Sequence, residues 1–213
     1  MPAASIGLRA KTARAIAVIL AEPAEAPVAL LRTELIFATP QTPATFQPYH
    51  EVMNLPWERA QLAVKESEAA LVAAAAAALG RLTSQARADG QIIRSVGIVG
   101  APSRNLDAIA SPHIRAHAAE GVLFRRILES AAAENGVECA AYAERDLEGL
   151  AMKELGLTRL ALREHLSRFG SSLGRPWRAD EKLASIGAWL ALHGIIRSPH
   201  SRTRATARFR LGG

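Results

Sequence analysis

A single cysteine, Cys139, stands in 213 residues, so no disulfide can form within the chain and no cysteine framework of the secreted kind is present. It lies in an apolar run, residues 137–142, where a buried thiol is ordinary. Long hydrophobic runs are missing too: none approaches the ~20 residues of a membrane-spanning helix, which argues against a membrane partner. Acidic residues are absent after Glu181, whereas Lys182, Arg197, Arg202, Arg204, Arg208 and Arg210 follow or adjoin that point. Removing these six from the 26 Lys and Arg leaves 20, equal to the 20 Asp and Glu, so the whole formal excess of +6 is C-terminal. A glycine-rich phosphate loop of the P-loop type and any internal repeat are likewise lacking.

The opening, MPAASIGLRAKTARAIAVILAEPAEA, imitates a secretory leader, with Arg9, Lys11 and Arg14 ahead of a short apolar run. That run is too short, and Val18, Ile19 and Leu20 suit a strand, so a cytoplasmic protein is expected. The length and composition fit one domain, residues 1–196, with a basic tail, residues 197–213.

Residues 5–8, 13–21 and 28–38 are apolar runs with short connections, which predicts three strands in an antiparallel meander with a turn at residues 9–12. Residues 39–56 carry Pro40, Pro43, Pro48 and Pro56 and read as a loop. Within it, Pro48-Tyr49-His50, followed by Trp57, reads as an aromatic anchor tying the loop to the core. Residues 57–89 are alanine-dense and predict one long helix, with Gly80 as a kink point and Leu62, Leu71, Leu79 and Leu82 as its apolar stripe.

The run IIRSVGIVG, residues 92–100, predicts a buried central strand, followed by a loop to residue 112, a helix over 113–135 and a strand over 137–142. A strand, helix and strand of this length require parallel pairing through a right-handed crossover, which makes the sheet mixed. Helices are expected over 146–155, 158–169 and 179–193, and residues 205–211 alternate enough to suggest a further strand.

This order, three antiparallel strands, a long helix, a parallel strand, a helix, another strand and terminal helices, resembles the ribonuclease H-like α/β fold. Within it the chain resembles the bacterial Holliday-junction resolvases of the RuvC type. SIGLRAKTARAIAVIL is similar to that family's first strand, phosphate-proximal turn and second strand. HIRAHAAEGVLFRRILESAAAENGVECAAY is similar to its later helix and strand, and LGRPWRADEKLASIGAWLAL to its last helix.

The resemblance implies a cluster of carboxylates holding two magnesium or manganese ions for phosphodiester cleavage. Here Arg9 stands where the first strand would end in aspartate, and Gly100 and Ala101 where a glutamate would follow the fourth strand. Only Asp180 and Glu181 remain at the start of the last helix. A guanidinium repels a divalent ion. The expectation is therefore an inactive nuclease relative, without cofactor, that binds nucleic acid through Arg9, Lys11, Arg104 and the tail residues Arg202, Arg204 and Arg208, or serves as a scaffold.

A second constellation follows the fourth strand. His113, His117 and Glu120 share one helix face in a His-x3-His-x2-Glu pattern, which suits convergence on one metal or phosphate. The alternative without a ligand has Glu120 pairing with Arg115 or Arg125. The competing enzymatic reading is a metal-dependent phosphodiesterase using Glu120, Asp180 and Glu181 with His113 and His117, fed by magnesium or manganese. The third reading is a structural homo-oligomer without a ligand. The helix pair over 146–169 has a helix-turn-helix outline, for which an ordinary packing unit is the simpler account.

Overall fold

The computed structural model describes residues 1–195. The tail residues, including Arg202, Arg204, Arg208 and the strand expected over 205–211, lie outside the described residues. Five strands form one sheet: β1 (Ala3–Lys11), β2 (Arg14–Ala21), β3 (Val28–Ile36), β4 (Ile92–Gly100) and β5 (Glu138–Ala143), in the order β3-β2-β1-β4-β5. β1 pairs antiparallel with β2, and β2 with β3, while β4 runs parallel to both β1 and β5. This is the mixed α/β sheet that the ribonuclease H-like resemblance implies.

The helices are α1 (Pro43–Phe46), α2 (Pro48–Glu51), α3 (Trp57–Ala88), α4 (Pro112–Glu134), α5 (Glu144–Glu154), α6 (Arg159–Leu173) and α7 (Ala179–Leu192). Strand alternation sorts the core onto two faces. Ile6, Leu8, Ala17, Ile19, Val96 and Ile98 pack with Leu71 and Leu79 of α3 and Leu123, Phe124 and Ile127 of α4. Val18, Leu20 and Val99 of alternate parity pack with Ile186, Trp189 and Leu190 of α7 and with Leu162 and Phe169 of α6. Helices thus cover both faces, as a largely buried parallel pairing requires.

Three local expectations change. The first strand does not stop at residue 8: β1 continues to Lys11, opposite Arg14, and only Thr12 and Ala13 turn, with Ala13 at φ 57°. Antiparallel pairing holds this polar strand end because its backbone groups gain ladder partners whatever the side chains are. Helix α3 runs uninterrupted through Gly80, where the lost side chain admits Asn135 from the end of α4; its amide donates to the Ala76 carbonyl at 3.0 Å. The buried stripe of α3 includes Leu71, Leu79 and Leu82 but not Leu62, which is 64% exposed. Ala60 and Val64 take that end of the stripe, one helical turn apart.

The long loop also gains structure, since Pro43 and Pro48 each open a one-turn helix, a position where proline's missing N–H costs nothing. Its anchor is aromatic as expected, with Tyr49 and Trp57 rings 5.4 Å apart and the Trp57 indole donating to Asp107 at 2.7 Å.

Candidate functional site

At the carboxyl ends of β1 and β4 a cleft of about 530 Å³ opens between the β1–β2 turn, the loop after β4, the first half of α4 and the start of α5. Arg9, Lys11, Arg104, His117, Glu120, Glu144 and Arg145 line it. Parity places Ser5, Gly7, Arg9 and Lys11 on the α7 side of β1, so the two cations meet the N-terminus of that helix.

Asp180, in the first turn of α7, is held between them. The Arg9 Nε lies 3.4 Å from one carboxylate oxygen, and the Lys11 Nζ lies 3.0 Å from the other. Arg9 reaches Glu144 with its other end, at 2.5 Å, and its side chain is only 14% exposed. One guanidinium therefore joins the last helix to the start of α5. Glu181 turns elsewhere. Its carboxylate accepts the Arg178 backbone N–H at 2.8 Å, closing the N-terminal cap of α7, and lies 3.8 Å from Arg32 of β3.

Glu120 is almost fully buried, and its partner is neither Arg115 nor Arg125. One carboxylate oxygen accepts from the His50 Nδ1 at 2.9 Å and from the His50 backbone N–H at 3.3 Å, pinning α2 to α4. Arg115 instead stacks over Trp57, 5.3 Å from the ring centre, and donates to the Ile109 carbonyl at 2.8 Å. Arg125 pairs with Glu129 at 3.5 Å and donates to the Ser103 hydroxyl at 3.1 Å, holding the loop that carries Arg104. Arg104 is exposed and has no ion pair with any described residue.

The His50 contact brings a third imidazole to the pair expected from sequence. His113 and His117 sit one turn apart on α4, with rings 4.5 Å apart, and His50 lies 5.4 and 4.3 Å from them. One nitrogen from each of the three lies within 4.8 Å of the others, a grouping able to hold a metal ion. Magnesium and manganese prefer oxygen donors, so this set does not suit the ions a carboxylate nuclease uses.

No known family profile matches the chain, and no curated protein matches it in sequence. Among solved structures, it is similar to RuvC of Thermus thermophilus. The identity is 12% and the TM-score 0.49, over 90% of this chain and 95% of that one. T. thermophilus RuvC in complex with a Holliday junction substrate gives the same identity and TM-score, over 90% of this chain and 94% of that one.

Of the residues singled out from sequence, the structure brings Arg9, Lys11 and Asp180 into one ion-paired group and His113 and His117 into another. Glu181 does not join either, and Glu120 joins the second only through His50. His50, the third member, is the residue the sequence reading assigned to an aromatic anchor and not to this group. Its sequence signal was a histidine beside a tyrosine in a proline-rich loop, and 63 residues of chain separate it from His113, so no local spacing links them.

Proposed function

We propose that the protein is a RuvC-like pseudo-nuclease that binds the phosphate backbone of nucleic acid in the cleft beyond β1 and β4 and does not cut it by two-metal chemistry. The carrying observation is the Arg9–Asp180–Lys11 group: two fixed cations stand at the carboxylate that a divalent ion would need. Coulomb repulsion from Arg9 and Lys11 opposes a divalent cation at the Asp180 carboxylate. Arg104, which lines the same cleft and has no ion pair with any described residue, adds a third donor for a phosphate oxygen.

The competing phosphodiesterase reading needs Glu120, Asp180 and Glu181 to act together. Each is occupied by a different partner, His50, the Arg9 and Lys11 pair, and Arg178 with Arg32, which weakens it.

Fluorescence anisotropy with labelled branched, duplex and single-stranded DNA and RNA, at two salt concentrations, tests the proposal. Binding is expected to weaken steeply with salt, and the double variant Lys11→Ala/Arg104→Ala should lower the log-log salt slope by about 2. Asp180→Asn should leave binding intact or tighten it several-fold, because it frees Lys11 and Arg9. Cleavage with magnesium or manganese that disappears in Asp180→Asn overturns the reading, and so does binding to none of these substrates.

A further inference from the structure

We propose that His50, His113 and His117 form a binding site for one zinc-class transition-metal ion, with Glu120 as the residue that orients His50. The site is distinct from the Arg9–Asp180–Lys11 group and stands whether or not the cleft binds nucleic acid.

Four observations carry it. First, three imidazoles converge from two elements far apart in sequence, and their donor nitrogens already lie within 4.8 Å of one another. Four-coordinate zinc with Zn–N bonds of about 2.0–2.1 Å sets its donors roughly 3.4 Å apart. Closing that gap takes small side-chain rotations, and His113 and His117 are exposed on α4 and free to make them.

Second, the His50 ring is fixed. Its Nδ1 faces the buried Glu120 carboxylate, which can only accept, so the proton sits on Nδ1 and the Nε2 presents a lone pair. Third, that Nε2 is buried and has no hydrogen-bond partner among the described residues. Buried polar atoms are satisfied in nearly all folded proteins, and a metal ion supplies the missing partner.

Fourth, the arrangement behind the ligand is the one metal sites use. A carboxylate on the far nitrogen fixes the tautomer and raises the basicity of the coordinating one. Without a metal, burying Glu120 only to hold a histidine whose other nitrogen has no partner is a costly arrangement.

The donor set decides the ion. Neutral imidazole suits zinc, cobalt, nickel and copper, and with no carboxylate or carbonyl among the ligands magnesium and calcium are poorly served. Three protein ligands leave a fourth position for solvent or an added anion, the pattern of an open zinc site. His117 and Glu120 both line the cleft, which puts the cluster beside it.

The test uses the full chain without an affinity tag, stripped with chelator and titrated with cobalt(II) and then zinc. One equivalent of cobalt should give the intense visible bands of a four-coordinate site, and zinc should displace it. His113→Ala and His117→Ala change exposed side chains and should abolish the bands while leaving the thermal midpoint of the metal-free protein unchanged. Glu120→Gln should weaken cobalt binding by about 10–100-fold, and His165→Ala, remote from the cluster, should not alter it. Zinc should raise the unfolding midpoint of the wild type and not that of the His113→Ala/His117→Ala variant. Absence of four-coordinate bands in the wild type overturns the proposal, as does a spectrum that survives the double variant. Neither result bears on DNA binding through Lys11 and Arg104.

Discussion

Arg9 shows how one side chain redirects a strand end. Its guanidinium is largely sheltered, bonds carboxylates on two different helices, and lies 3.5 Å from the Val99 carbonyl of the neighbouring strand. Arg9 lines the cleft, whereas the Asp180 it pairs with is not among the lining residues. His165 makes a different single-residue statement. Its ring lies 4.7 Å from that of Trp189, and its Nδ1 accepts from Arg168 at 2.8 Å. Burial, aided by the Arg168 charge, lowers its pKa below the ordinary 6.5. The unfolded chain therefore takes up a proton at this position before the folded one does. The His165 contribution is complete above about pH 6.5, is lost as pH falls through that value, and levels off below the folded pKa. Thermal midpoints measured at about pH 8 and about pH 5 should differ more for the wild type than for His165→Gln.

Helix α7 lies closer to the sheet than side chains would normally allow. A Cβ on Gly7 of β1 would overlap the Ala184 carbonyl oxygen, and one on Gly97 of β4 would overlap that of Gly187. Gly187 in turn faces Gly97, so a glycine on the helix meets a glycine on the strand. Ser5 and Ser95 complete the contact, with hydroxyls 2.7 Å apart and Ser95 donating to the Ala191 carbonyl at 3.0 Å. Here glycine is selected by the approach of another backbone. Gly7→Ala and Gly97→Ala should each cost at least about 3 kcal/mol, the upper end of ordinary overpacking, because the obstacle is backbone that cannot rotate away. Gly149→Ala, at a position with open space around it, should not destabilise by comparison. Urea unfolding of the three variants checks the ranking. A displaced α7 would also carry Asp180 away from Arg9 and Lys11, so these variants should lose cleft function along with stability.

At the scale of the molecule, the single sheet divides two apolar clusters and belongs to both. Neither cluster can lose its packing without stripping one face of β1, β2 and β4, so one cooperative transition is expected. A Trp57→Phe/Trp177→Phe variant leaves Trp189, buried in the α7 cluster, as the sole indole. Its fluorescence and the far-UV circular dichroism, which is dominated by α3 and α4, should give the same denaturant midpoint. Two separated midpoints would mean that the faces come apart independently. The same architecture explains where the cleft is. β1 and β4 are parallel neighbours in the middle of the sheet, and their carboxyl ends open together between helices on opposite faces.

Much of this was determined by sequence alone. Alternating and continuous apolar runs, the alanine-rich helix and the strand, helix and strand unit dictated five strands, their directions and the long helices, because periodicity and crossover handedness are local physics. The i and i+4 spacing was enough to put His113 and His117 side by side. Strand ends were not legible: charged residues at 9 and 11 suggest a turn, and only pairing with Arg14 and Ile16 makes them strand. Tertiary structure alone decided the partners. Glu120 took His50, 70 residues away, while Arg9 found Asp180 across 171 residues. Such choices depend on which elements the packed sheet brings together, and no spacing along the chain encodes a distance between elements that meet only on folding.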